Sequence, residues 1–218
     1  MIPAFHVIAD GPGWIAINKP AGVNFHSEDD GPGLMVQLEQ QLQTSLWPVH
    51  RLDKVTSGII LFATSADAAA MLSEEFAARR VRKYYLAISA QKPAKKQGWI
   101  KGDMTKSRNG SWKLLRTTEN PAITRFVSHY DDSAAQRIFL LSPKTGRTHQ
   151  LRVAMKSLGA PILGDQRYGG QDADRTYLHA WRLSFSTPEG AVSLCCPPES
   201  GIWPALPEHW NTPDTLLS

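Results

Sequence analysis

Residues His50 to Phe62 read HRLDKVTSGIILF. The run Gly58-Ile59-Ile60-Leu61-Phe62 has the length and apolar content of a buried strand, and Ser57-Gly58 is expected as the turn feeding it. Asp53 then stands on a loop attached to a rigid element, between the cations Arg51 and Lys54. Such a loop leaves a side chain within reach of a ligand while the scaffold fixes its position. Two readings stay open from this stretch alone. Asp53 is either a surface carboxylate in a local ion pair or a reacting group.

Upstream, the apolar runs Phe5 to Ala9 and Trp14 to Asn18 flank Asp10-Gly11-Pro12-Gly13, which reads as a β-hairpin. Lys19 to Gly33 is rich in Gly, Pro and acids and is expected as a loop. Leu34, Leu38 and Leu42 recur at helical spacing, so 34–44 is a short amphipathic helix with its leucines in the core. Downstream, Ser65 is placed to cap a helix running to about Arg80, with Asp67 in its first turn and Ala69, Leu72 and Phe76 inward.

Arg82 to Ala90 reads as a strand on which Tyr84 and Tyr85 face opposite ways. Gln91 to Thr118 reads as a mobile loop or long hairpin around the strand Trp99 to Gly102, with a turn at Arg108-Asn109-Gly110. Ala122 to Tyr130 and Gln136 to Leu141 are successive strands, and Tyr177 to Ser186 and Ala191 to Cys196 close the set as a hairpin. Between them Thr148 to Leu158 is helical, stopped by Gly159-Ala160-Pro161, which puts Arg147 at the helix entrance. Leu163 to Gly170 is a loop, and the Pro-rich stretch after Pro197 is expected to run extended along the surface. Strands that follow one another directly favour antiparallel pairing over a βαβ repeat. The fold class expected is α+β, a mixed and largely antiparallel sheet with a few flanking helices, as one domain over 1–218.

Apolar content of 42% and charged content of 20% are those of a globular protein. No stretch approaches the ~18 consecutive apolar residues of a membrane span. The N-terminal MIPAFHVIAD lacks the order of a signal peptide, so a cytoplasmic location is expected, with no membrane partner. Cys195 and Cys196 are adjacent, so in a strand they point to opposite faces and form neither a mutual disulfide nor a CxxC pair.

Net charge +4 hides an asymmetry. Residues 79–116 hold twelve of the 24 Lys and Arg and one of the 20 acids, so this segment carries +11 while the remainder, twelve bases against 19 acids, carries −7. A charge run is commonly a solvated face. Here Trp99 and Trp112 are interleaved with the cations, a pattern suited to a phosphate backbone with exposed bases.

HRLD followed by Thr56-Ser57-Gly58 is joined by three further blocks: KYYLA at 83–87, PKTGRTHQLR at 143–152 and Leu178-His179-Ala180. Together, from about Asn18-Lys19-Pro20 to about Pro188, they resemble the RluA-type family of RNA pseudouridine synthases. The resemblance implies an isomerase of uridine in rRNA or tRNA that needs no cofactor and no metal, binds structured RNA and acts as a monomer. It makes Asp53 the catalytic carboxylate, paired with Arg147, and its Lys-x-Tyr pattern selects Tyr85 to pack against the target base. Arg51 is the candidate to fill the gap left by an extruded nucleotide, since a guanidinium is planar and stacks on bases. Leu178 would line the base pocket, and His50, Lys19 and Gln150 join the substrate-binding set. Lys19 reads equally as a solvated loop lysine, and His149 and His179 read as structural or RNA-facing.

The reaction breaks the bond from uracil N1 to the sugar, turns the base and bonds C5 to the same sugar carbon. An ionised carboxylate serves by attacking that carbon or by stabilising the charge developing on it. A route through a glycal, with Tyr85 taking the sugar C2′ proton, is equally open. The chain departs from the family pattern at Val55, where an acid is common, at Ala154, where His is common, and at Ala90, where Gly is common. The small N-terminal RNA-binding domain of many relatives is not expected. A catalytically silent RNA-binding protein is the alternative, and a metal hydrolase using His50, Asp53, His149 and His179 is disfavoured by their spacing.

Overall fold

The apolar run around Ile60 forms a strand buried along its whole length, Ser57–Ala63. In the computed structural model, which describes residues 5–27 and 31–217, the chain opens with β1 (His6–Gly11), β2 (Trp14–Lys19), helix α1 (Leu34–Leu42), β3 (Trp47–Pro48), β4 (Ser57–Ala63) and α2 (Ala66–Ala77). It continues through β5 (Arg82–Ser89), β6 (Gln97–Gly102), β7 (Met104–Lys106), β8 (Trp112–Leu114), β9 (Ala122–Asp131) and β10 (Gln136–Pro143). Last come α3 (Gln150–Ser157), β11 (Leu178–Thr187), β12 (Gly190–Cys195) and α4 (Pro213–Leu216). The class is α+β, with mostly antiparallel strands and, among the described residues, four α-helices. The chain divides into two compact units, each made of two separated stretches: Met1–Arg82 with Ala180–Pro198, and Lys83–His179 with Glu199–Ser218.

In the first unit β1 and β2 form the expected hairpin, with a bulge between Val7 and Ala9. β2 runs antiparallel to β4 from Trp14 opposite Ala63 to Lys19 opposite Gly58. β11 lies on the other side of β4, and β12 pairs antiparallel with β11. Because successive side chains alternate across a sheet, Ile59, Leu61 and Ala63 enter one core with Trp14, Leu72, Leu183 and Phe185. Phe62, on the opposite face, stacks on Phe25 at 6.3 Å. The cap of α2 is the expected Ser65, whose Oγ accepts from the Ala68 N–H at 3.2 Å.

Ser57-Gly58 belongs to β4, where a feeding turn was expected. Gly58 has φ +102°, and a Cβ there would lie 2.2 Å from the Ala180 carbonyl oxygen. Glycine is required by close backbone approach within the sheet.

In the second unit β5, β10, β9 and β6 lie side by side, each antiparallel to its neighbour. Of the two readings of the basic stretch the hairpin one holds: β6 covers the expected strand as the edge beside β9, and β7 and β8 pair around the expected turn at Arg108–Gly110. α3 ends at Ser157 with Leu158 as its cap. Its Arg152 makes a buried two-pronged ion pair with Asp165, both bonds at 2.8 Å, while stacking 4.9 Å from the Tyr168 ring centre. The expectation of a surface-extended tail is corrected. Trp210 and Leu217 are 2% and 0% exposed, Pro213 is buried, and Tyr84 donates its hydroxyl hydrogen bond to Asp214.

Candidate active site

Asp53 is half-buried on the loop between β3 and β4, in the first unit. The loop is held from beneath. The Asp53 carbonyl accepts from the Thr56 N–H at 3.0 Å, and the Lys54 carbonyl accepts from the Gly22 N–H at 2.8 Å. Lys19, fully buried at the end of β2, directs its ammonium to the carbonyls of Pro20, Lys54 and Thr56 at 3.0, 3.2 and 2.8 Å. The solvated-lysine reading of Lys19 is thereby excluded. Its charge organises the backbone on both sides of the Asp53 loop, and backbone carbonyls are suitable partners for a buried cation.

His50 is tied to the scaffold as well. Its Nε2 accepts the Leu61 N–H at 2.9 Å, which places the proton of a neutral ring on Nδ1, and the ring stacks on Phe76 at 4.7 Å. Leu52 is buried while Arg51 is exposed. The motif thus alternates between side chains that anchor the loop and side chains that reach outward.

The second unit carries Tyr85, Arg147, Gln150 and Leu178. Tyr85 is 9% exposed on β5, opposite Leu141 of β10, and Leu178 is 2% exposed at the start of β11. Arg147 is exposed just before α3, whose entrance is His149 with φ +57°. The Gln150 amide builds this entrance. Its Oε1 accepts from the Thr145 hydroxyl at 2.7 Å and the Arg147 N–H at 3.0 Å, and its Nε2 donates to the Ile123 carbonyl and the Thr124 hydroxyl oxygen, both at 3.0 Å. With its donors and acceptor engaged inside the fold, Gln150 positions Arg147.

The Arg147 guanidinium donates to Asn120, through both its carbonyl, at 3.2 Å, and its side-chain oxygen. Asn120 is held in turn by Asp103, whose carboxylate accepts the Asn120 N–H at 2.8 Å and the Glu119 N–H at 3.1 Å. The Thr117 hydroxyl first, then these N–H groups and the Arg147 charge, hold the Asp103 carboxyl below its ordinary pKa. A cleft of about 490 Å³ opens here, lined by Asp103, Met104, Trp112, Asn120, Gly146 and Arg147 among others. Lys83 lies alongside, its Nζ 3.9 Å from where a Gly146 Cβ would stand, and burial pushes its ammonium below the usual lysine pKa.

Asp103 and Asn120 were not singled out as site residues from the sequence, and Trp112 stood out only as an aromatic within the basic run. They lie in a polar, aperiodic stretch, which long-range contacts such as the pairing of β6 with β9 and the Trp112 N–H bond to the Tyr168 hydroxyl bring to the α3 entrance. Lys83 stood in a quoted motif, but its burial had no sequence signal. Among the described residues no three of His, Cys, Asp and Glu gather as a metal site. His149 instead contacts the Tyr168 hydroxyl at 2.8 Å.

The family model described as RNA pseudouridylate synthase matches residues 13–157. A Haemophilus influenzae protein named an uncharacterized RNA pseudouridine synthase is 50% identical over 191 residues, covering 86% of this chain and 85% of its own length. A Haemophilus ducreyi protein named tRNA pseudouridine synthase C is 36% identical over 201 residues, covering 80% of this chain and 82% of its own. The solved structure of human RNA pseudouridylate synthase domain containing 1 superposes with a TM-score of 0.73 at 28% identity, over 91% of this chain and 86% of that one.

Proposed function

The chain belongs to the RNA pseudouridine synthases of the RluA type, and from that premise we propose that it isomerises specific uridines of rRNA or tRNA with Asp53 as the reacting carboxylate. The observation carrying this reading is the Asp53 loop itself. A half-buried carboxylate sits on a loop whose neighbouring carbonyls are fixed by a fully buried ammonium. A loop whose backbone is held in place limits the reorganisation needed when charge develops at the sugar carbon.

The target nucleotide must leave its stack, at a cost of a few kcal/mol. Arg51, exposed beside Asp53, is assigned to the vacated position. Tyr85 packs against the flipped base, with Leu178 on its apolar side. By the family resemblance, Arg147 serves as the cation that favours the ionised form of the reacting carboxylate. N1 leaves C1′, C5 bonds to C1′, and the proton lost from C5 is balanced by one gained at N1. The isomerisation moves no electrons to an acceptor and adds no group, so it requires no redox cofactor.

The test is Asp53→Asn, assayed for pseudouridine formation and for RNA binding. Loss of turnover by at least about a thousandfold with RNA affinity kept within about twofold is the expected result. Turnover unaffected by the change would remove Asp53 from the chemistry. Mapping the pseudouridines lost when the gene is deleted then identifies the RNA and the site.

A further inference from the structure

We infer that the outer face of β6 and β9 is a docking platform for a single-stranded stretch of the substrate RNA, with Trp99 as its stacking surface. The inference rests on the reading that structured RNA is the substrate and adds a contact away from the reacting groups. Trp99 is 42% exposed on the edge strand β6, whereas Trp112 is half-buried and ties its backbone N–H to the Tyr168 hydroxyl at 3.0 Å. Two cations flank the Trp99 ring: Lys101, two residues along the same strand, and Arg125, directly opposite on β9, each 5.0 Å from the ring centre.

Lys95 and Lys96, both exposed, lead into this strand. Among the described residues none of Lys95, Lys96, Lys101 and Arg125 is in a salt bridge, and the Nε of Arg125 has no acceptor. Two cations against an exposed indole, with two more leading into its strand and none of the four in a salt bridge, match a chain of phosphates carrying unpaired bases. Cations on an edge strand also discourage strand-to-strand aggregation, but that purpose needs no tryptophan. From Trp99 the strand runs toward Asp103, which lines the Arg147 cleft, four residues and so about 13 Å away.

The probes are labelled oligouridine of about 12 nucleotides and an RNA duplex of about the same length. Both are titrated by fluorescence anisotropy against the full chain, Trp99→Ala, Trp99→Phe and the double change Lys101→Gln with Arg125→Gln. Trp99→Ala is expected to weaken oligouridine binding about tenfold or more, with the duplex within about twofold and Trp99→Phe close to the parent. The double change should reduce the slope of log affinity against log salt by about 1.4. Equal oligouridine binding by Trp99→Ala and the parent overturns the platform, as does an equal loss for duplex and oligouridine, or a parent chain that ignores oligouridine. Should Trp99→Ala fail to fold, an unchanged salt slope in the double variant overturns it instead. Asp53→Asn in parallel keeps the two readings apart, because it addresses isomerisation alone and should bind oligouridine as the parent does.

Discussion

Lys19 has the least ordinary environment of any residue near the proposed chemistry. A lysine is rarely fully buried unless its charge is matched, and here three backbone carbonyls lie within 3.2 Å of its Nζ. Lys19→Met keeps the stem and removes the donor, leaving those carbonyls in an apolar setting. The expected loss is about 3 kcal/mol or more, read as a lower urea midpoint. Because two of the carbonyls belong to Lys54 and Thr56, turnover should fall further than the folded fraction does. Lys83 gives a prediction in pH. Burial sets its folded pKa below the unfolded value, so between the two the unfolded chain binds more protons and stability rises with pH. Comparing Lys83→Met with the parent from neutral pH to about 10, near the unfolded lysine pKa, the parent should gain stability relative to the variant; a constant difference would refute the assignment.

Elements were legible where apolar spacing is strong. The β1–β2 hairpin, α1, α2, α3 and the β9–β10 and β11–β12 pairs follow from alternation, helical spacing and turn residues, and all lie close to where those patterns place them. Ser57-Gly58 did not follow, because Gly-containing dipeptides signal turns and the reason for this glycine is a neighbour far away in sequence. Gly58→Ala must relieve both a positive φ and a contact of 2.2 Å with the Ala180 carbonyl. We expect a loss of more than about 2 kcal/mol, measured by thermal unfolding, larger than at the open Gly98, where an added Cβ meets nothing within 4 Å. Gly98 also has φ +138°, so the difference between the two variants isolates the steric contact from the backbone strain.

At the scale of the molecule, the blocks carrying the family resemblance were legible because each is local, while the supports around them were not. Asp103 and Asn120 reach Arg147 through long-range pairing that no periodicity announces, and Asp53 and Arg147 are carried by different units. The C-terminal segment is the largest feature the sequence concealed, since proline-rich composition is shared by loose tails and by chains packed as irregular coil. In the second unit Lys144 Nζ donates to the Leu217 carbonyl at 3.3 Å, Trp203 packs on Tyr177 at 5.3 Å, and Arg175 bonds the Ser200 carbonyl at 3.2 Å. Trp210→Ala alone should lose about 3–5 kcal/mol. A chain ending at Pro198 loses Trp210, Pro213 and Leu217 together, an amount comparable to the roughly 5–15 kcal/mol that separates folded from unfolded states. We therefore expect the shortened chain to lack a cooperative thermal transition, and Trp210→Ala to unfold at a lower temperature while keeping its turnover per folded molecule. A shortened chain that melts where the full chain does would show that the tail merely lies on a unit complete without it.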